Sequence, residues 1–435
     1  MEIALTKWFR RKIEPLQYRL FLIPRATIMQ QRKIRQIRKK GCAKVVFLVS
    51  SLPMWKFQPL FDILRNDSRF HVSIVIHPFP FSPEKQCLDT KQLVDFFSSN
   101  GIPFLNLHGV TKPGTMLRET LQPDIIFYPQ PYLNFLNNDL DCQSFLDKLL
   151  CYIPYAALTS REIWAYKNLL NNVAWRIFYP SETQKKEASN VLYNRGKNIR
   201  ITGEYISDLF RNSPGADPWK KQPCPKKRII WAPHYSLHDE GLLHRNSFVW
   251  LSQTMLDIAL RYKDKVQFSF KPHPRLLQSL YEMPEWRKER TDDYYRIWRD
   301  GENTQLDTGS YIDLFRYSDA MIMDSSSFTV EYHYTGKPFL FTTQNLDAEL
   351  EHLNTFGREA ILAQYISDSI SGIIDFIEKT VLCGVDPKKS ERESFYRKHL
   401  CPPNGHSVSE NIYNEILIGL GFENANYIRV DHNIR

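Results

Sequence analysis

Long apolar runs are missing from this chain: no stretch of about 18 apolar residues occurs in its 435 positions, which excludes a helical membrane span. The nearest approach to a signal-peptide core, Leu16–Ile23, is too short and carries Arg19 in its middle. Cysteines are few, seven in all (Cys42, Cys87, Cys142, Cys151, Cys224, Cys383, Cys401), odd in number and never spaced as CxxC. That excludes a disulfide framework or a zinc ribbon and fits reduced thiols in the cytoplasm. Glycine-rich phosphate loops are also absent. No GxGxxG or Walker sequence occurs, nor does HExxH or a nucleophile elbow, and Asp139–Asp141 and Asp292–Asp293 lack strand-end context. Neither a metal nor a cofactor is therefore expected. Internal repeats and low-complexity tracts are lacking as well.

What is present begins with charge. Of the net +9, residues 1–40 supply +10, from twelve Lys and Arg against Glu2 and Glu14, so the other 395 residues sum to −1. Leu5, Trp8, Phe9, Ile13, Leu16 and Leu20 recur among those charges at helical spacing, with Pro15 kinking or splitting the helix. An amphipathic arm over 1–43 lying on an anionic membrane surface is the expectation. A solvated leader, or an arm packed on its own protein, is the alternative. Nucleic acid is not expected, because nothing beyond the arm extends the basic footprint.

A chain that is 43% hydrophobic and 435 residues long suits two domains. After Gly41 strand and helix patterns alternate: strands at Lys44–Ser50, His71–Ile76, Asp124–Tyr128, Trp175–Tyr179 and Ile199–Thr202, with helices at Gln58–Arg65, Lys91–Ser99 and Glu182–Tyr193. Such alternation predicts a parallel sheet covered by helices. Proline and lysine then crowd Asn212–Lys227, which reads as a linker. The pattern restarts with strands at Arg228–Trp231, Val266–Phe270, Ala320–Met323 and Phe339–Phe341. Helices are expected at Phe248–Tyr262, Ile312–Tyr317, from Ser326, and near Ser367–Thr380 and Ser409–Leu420. The expected architecture is α/β: two doubly wound, Rossmann-like domains facing a cleft. Their bounds read 44–206 (acceptor) and 228–385 (nucleotide donor), with linker 207–227 and a C-terminal helical segment 386–435.

Two strand exits carry the chemistry. In VQFSFKPHPR, Pro272 and Pro274 stiffen the backbone so that Lys271, His273 and Arg275 project from one turn, a suitable grip for a departing diphosphate. In AMIMDSSSFTVE, Asp324, Ser325, Ser326 and Ser327 open a helix whose first N–H groups and dipole favour an anion. Glu331, one turn in, is placed to accept from sugar hydroxyls. The exit WAPHYSL adds His234 and Ser236. In the first domain SSLPMWKF puts Trp55 and Lys56 at the corresponding edge, His77 ends the next strand, and YIPYAAL contributes Tyr155. His77 is the candidate base, with His234 in reserve.

WAPH, NSF at Asn246–Phe248, FKPHP and above all GSYIDLFRYSDAMIMDSSSFTVEYHYTGKP (Gly309–Pro338) resemble the CDP-glycerol glycerophosphotransferase family of teichoic-acid and capsule polymer synthesis, and are closer to its capsule-type members. ITGEYISDLF and NGHSVSENIYNEI are similar more weakly. The resemblance implies a bacterial, metal-independent transferase of the glycosyltransferase-B type, peripheral at the inner face of the cell membrane. Its donor would be CDP-glycerol or a similar activated nucleotide, and its acceptor a glycan or polyol phosphate. By position, His273 and Ser325 to Ser327 would face the donor diphosphate, with Arg275 nearby. The family's polymerases carry a His-Gly loop in the first domain; YIPYAAL stands at the corresponding place here, and His108–Gly109 follows an earlier strand. A glycosyltransferase using a nucleotide sugar, an epimerase of nucleotide sugars and a non-catalytic nucleotide-binding scaffold are the alternatives.

Overall fold

The computed structural model describes residues 14–78, 83–131, 139–237, 247–325 and 327–423. Two compact units emerge. The first comprises the chain up to Ala156, Glu162–Asp208 and the segment from Pro402; the second holds Ala157–Arg161 and Leu209–Cys401.

In the first unit seven strands, β1 (Ala43–Val49), β2 (Phe70–Ile76), β3 (Phe104–Asn106), β4 (Ile125–Tyr128), β5 (Leu149–Tyr152), β6 (Arg176–Tyr179) and β7 (Ile199–Ile201), form one sheet in the order β3-β2-β1-β4-β5-β6-β7. In the second, β8 (Lys227–Ala232), β9 (Val266–Phe270), β10 (Thr304–Leu306), β11 (Ala320–Met323), β12 (Phe339–Thr342) and β13 (Tyr365–Ser367) are ordered β10-β9-β8-β11-β12-β13. All these pairings are parallel. The expected pair of doubly wound α/β domains is what the chain forms. Helices cover both faces, which is why the central strands are apolar throughout rather than alternating.

Each sheet reverses its winding once, between β1 and β4 and between β8 and β11. Such a switch point, at the carboxyl ends of the strands, is where open α/β sheets receive ligands. Register sets the level of the second: Met323 pairs with Ala232 and Trp231 with Phe270, so the exits of β11, β8 and β9 leave the sheet together. Beneath them Trp231 is fully buried against Phe270 (5.0 Å between ring centroids), Trp298 (5.4 Å) and Phe248 (5.9 Å). Burying aromatics of this size contributes roughly 2–3 kcal/mol each and gives the exits a stiff floor.

Three expectations about the ends of the domains change. The part of the arm that is described is helical, chiefly α1 (Ile23–Lys40), with Pro24 in its first turn and Gly41 closing it at φ 74°, a conformation glycine adopts without strain. It packs on its own unit: Ala26, Ile34 and Ile37 are buried, Lys33 pairs with Asp124 at 3.2 Å, and Arg38 Nε donates to the Leu420 carbonyl at 2.6 Å. Arg25, Arg32, Arg35 and Lys39 remain exposed. The expected linker 207–227 packs on the second unit, because Trp219 is buried there with its indole N–H on the Leu314 carbonyl (3.3 Å). The tail divides at Pro402: α4 (Val408–Leu420) belongs to the first unit, where the Asp208 carboxylate accepts from the N–H groups of Val408 and Ser409, both at 2.8 Å. Two further helices, α2 (Ser247–Arg261) and α3 (Phe328–Glu331), flank the second switch point. Among the described residues no helix is long and apolar enough to cross a membrane.

Candidate functional site

At the second unit's switch point, the exits of β8 and β9 put two imidazoles and a guanidinium around one phenol. The His234 and His273 rings lie 5.2 Å apart, Tyr235 lies 4.3 Å from the first and 4.6 Å from the second, and the Arg275 guanidinium stacks 4.2 Å over Tyr235. The fixed φ of Pro272 and Pro274 turns the chain here, and the His273 N–H closes onto the Pro233 carbonyl at 3.1 Å.

Local hydrogen bonds assign the tautomers. His273 Nδ1 accepts the Arg275 backbone N–H (3.1 Å), and His234 Nδ1 accepts the Ser236 N–H (3.3 Å) with the Ser236 hydroxyl at 2.9 Å. In the neutral ring each Nε2 then carries the proton and is a donor. Burial, with a smaller push from Arg275, lowers the His273 pKa to about 4. The group read from sequence as a potential cation is therefore a neutral N–H donor at neutral pH.

Lys271 is corrected more sharply. Its side chain is buried, with Nζ 2.7 Å from Asp307 and also bonded to the Gly309 carbonyl, so its charge is spent tying β9 to the loop after β10. Sequence cannot show this, because the partner lies 36 residues away. Asp324 likewise braces rather than binds: its carboxylate, 1% exposed, accepts the N–H groups of His234 (2.6 Å) and Ser247 (2.9 Å). It thereby pins the β8 exit to the β11 exit and caps α2. Positive charge at this edge comes from Arg275.

The helix expected from Ser326 is short. Only Phe328–Glu331 are α-helical, and Tyr332–Thr335 tighten to a 3₁₀ turn ended by Gly336 at φ 69°, so the dipole is weaker than the sequence pattern implied. Ser325 is buried and its carbonyl accepts the Thr329 hydroxyl at 2.5 Å. Ser327 directly precedes α3 without a side-chain cap, and Ser326 lies outside the described residues. Glu331 is 2% exposed.

In the first unit the candidates separate. Trp55 is core, not edge: it packs on Phe97 (5.2 Å) and Phe61 (5.9 Å) and donates to Gln58 Oε1 at 3.0 Å. Lys56 and Tyr155 converge on Tyr205, whose ring lies 5.6 Å from the Lys56 ammonium and whose hydroxyl donates to the Tyr155 carbonyl. His77, fully buried after β2, has Nδ1 3.2 Å from the Pro78 carbonyl, so Nδ1 carries the proton and Nε2 keeps a lone pair with no hydrogen-bond partner among the described residues. Burial lowers its pKa to about 4. His77 is thus an acceptor where His234 and His273 are donors.

Two residues were not singled out from sequence. Tyr235 sat inside the WAPHYSL exit, but nothing in the string shows that it stacks under Arg275. Gln130, two positions beyond β4, is 1% exposed, and neither Oε1 nor Nε2 has a hydrogen-bond partner among the described residues. An unpaired buried amide costs roughly 1–3 kcal/mol.

The chain matches no family model and no curated protein sequence. Among solved structures it is similar to the S. aureus MnaA–UDP co-structure (16% identity, 88% of this chain and 98% of that one, TM-score 0.56). UDP-GlcNAc 2-epimerase from Neisseria meningitidis bound to UDP-GlcNAc is similar at 15% identity over 86% and 99% (TM-score 0.52), and the wall teichoic acid polymerase TagF at 12% over 96% and 98% (TM-score 0.56). These likenesses show the fold: two parallel-sheet α/β domains of the glycosyltransferase-B type.

Proposed function

We propose that this chain is a transferase that moves a glycerol-phosphate or related polyol-phosphate unit from a CDP-activated donor to a cell-surface glycan or teichoic-acid-like acceptor. The carrying observation is the cluster at the switch point: the His234 and His273 rings 5.2 Å apart beside Arg275, with His273 held neutral by burial and its Nδ1 accepting the Arg275 N–H. An acceptor hydroxyl attacks the phosphorus of the transferred unit, the bond from that phosphorus to the bridging oxygen breaks, and CMP leaves. His273 and His234 donate to phosphate oxygens whose charge grows as the bond breaks, with Arg275 supplying the net positive charge. The proton of the attacking hydroxyl passes to His77 Nε2. Ser325 and Ser327 line the donor side, Ser236 holds His234, and Lys56 and Tyr155 lie on the acceptor side. No metal or cofactor is assigned. The chain works in the cytoplasm, peripheral at the inner face of the membrane through residues 1–40.

A nucleotide-sugar donor is the second reading, favoured by the UDP and UDP-GlcNAc bound in two of the structural neighbours. Nucleotide release from CDP-glycerol and from UDP-GlcNAc, with and without bacterial membranes as acceptor, separates the cases. CMP release that requires membranes supports the polyol-phosphate transferase; UDP release that requires membranes supports the nucleotide-sugar donor; conversion of UDP-GlcNAc to an isomer with no net UDP release supports an epimerase; binding without turnover of either donor removes all three. His273→Ala is expected to lower release by about a hundredfold or more while the melting temperature holds. Near-normal turnover in that variant takes His273 out of the mechanism.

A further inference from the structure

The first unit has a cavity of about 600 Å³ at the edge of its sheet opposite to His77 and Gln130. Its walls are the segments that lead into β6 and β7, residues 172–176 and 193–198, and one face of α1 together with the turn before it. Among the described residues four cationic side chains line it, Arg19, Arg176, Arg195 and Lys197, and no carboxylate does.

Two lining groups are short of partners. Among the described residues Arg176 Nε is buried without a hydrogen bond, and its nearest carboxylate, Glu415, stands 3.9 Å away while sitting closer, at 3.0 Å, to Arg200. The Tyr193 hydroxyl is also buried without a hydrogen bond. A desolvated guanidinium with so little compensation favours an added anion. The wall is rigid besides: Asn194 donates to Asn198 Oδ1 (2.9 Å), Asn198 to the Ala174 carbonyl (2.9 Å), and Gln30 on α1 to the Val173 carbonyl (2.7 Å). On the helical segment that carries Arg19, Leu16, Leu20 and Phe21 are 56–68% exposed, as Ile28 is at 54% further along.

We propose that this cavity receives the phosphate head group of an anionic lipid, Arg176, Arg195 and Tyr193 Oη holding the phosphate oxygens while Leu16, Leu20 and Phe21 meet the acyl region. The inference deepens the membrane contact proposed for the arm by giving it a specific pocket. A diffuse attraction between exposed arm charges and a bilayer is screened by salt, whereas contacts inside a partly buried cavity are screened much less.

The test is co-sedimentation of the full chain with phosphatidylcholine vesicles, with and without phosphatidylglycerol, at low salt and at about 1 M salt, where the Debye length is about 3 Å. The cavity variant is Arg195→Asn with Lys197→Gln, both exposed on one turn, so folding is spared; asparagine tolerates the left-handed φ of 55° at position 195. The comparison variant is Arg32→Gln with Arg35→Gln on the exposed face of α1. The cavity variant is expected to bind phosphatidylglycerol vesicles about thirtyfold more weakly at low salt and to stay at least about tenfold weaker at high salt. The α1 variant should lose affinity at low salt only. A cavity variant that binds like the unmutated chain, or whose deficit vanishes at high salt, overturns the pocket while leaving the arm's membrane contact standing. Equal binding to pure phosphatidylcholine overturns both. Soluble glycerol phosphate that binds the chain as tightly as the vesicles do overturns the lipid as occupant.

Discussion

Asp324 holds the second unit's site together, and its removal is the most direct test of that geometry. Asp324→Ala leaves two buried backbone N–H groups, those of His234 and Ser247, without their carboxylate. Hydrogen bonds to a charged acceptor contribute about 1.5–3 kcal/mol each, so the pair amounts to about 3–6 kcal/mol. Against a domain stability of about 5–15 kcal/mol that is a large share. Asp324→Asn keeps one carbonyl acceptor and sets an amide N–H₂ against the other donor, so about half the loss should return. Hydrogen exchange read on peptides from β8 and β11 is the assay, with β1 and β4 as internal control. Protection there should fall by about two to four orders of magnitude for the alanine variant, with β1 and β4 unchanged. A loss under about tenfold, or an equal loss in both units, would refute the bracing role.

Gln130→Leu removes an amide that no group satisfies, so it should raise the denaturant midpoint of the first unit by the equivalent of about 1–2 kcal/mol while cutting acceptor-dependent product formation. A drop in stability would mean that the amide is paired in solution. Acid should weaken the fold before the carboxylates titrate. Burial depresses His77 and His273 to about 4 and His333 to about 3, so between the unfolded value near 6.5 and those values the unfolded chain binds more protons. Stability is then complete above about pH 6.5 and falls through the window toward pH 4. Urea midpoints across that range, for the unmutated chain and for His77→Gln, check the sign: a flat profile, or an unchanged slope in the variant, goes against buried neutral imidazoles.

Much of the fold was legible because strands buried on both faces are continuous apolar runs, as in KVVFLVS and VQFSF, and proline sharpens their ends. The helix Gln58–Arg65 is found where its pattern places it. Leu149–Tyr152, Thr304–Leu306 and Tyr365–Ser367 were not read, since strands of three or four residues show no period. The helix Arg287–Asp300 was missed because RKERTDDYYRIWRD reads as charge before it reads as a face. At the site, the strand exits were legible and the side chains' allegiances were not. Lys271 and Asp324 look alike in sequence as polar groups at strand ends, yet each is committed to a partner more than 30 residues away. Trp55 follows β1 as an edge residue would, but a ring of phenylalanines draws it inward. Such choices depend on tertiary neighbours, which spacing does not encode.

Residues Leu209–Cys401 are spliced into the first unit between Asp208 and Pro402, and the carboxylate that caps α4 precedes that splice. A nascent chain leaving the ribosome therefore exposes the whole second unit before the first has its closing helix. The interrupted unit waits, with Asp208 unfilled and the Arg38 guanidinium without the Leu420 carbonyl, until Val408–Leu420 has been synthesised. Completion of the first unit is thus timed by the synthesis of α4, and a message truncated just before α4 would yield a finished second unit attached to an open first one.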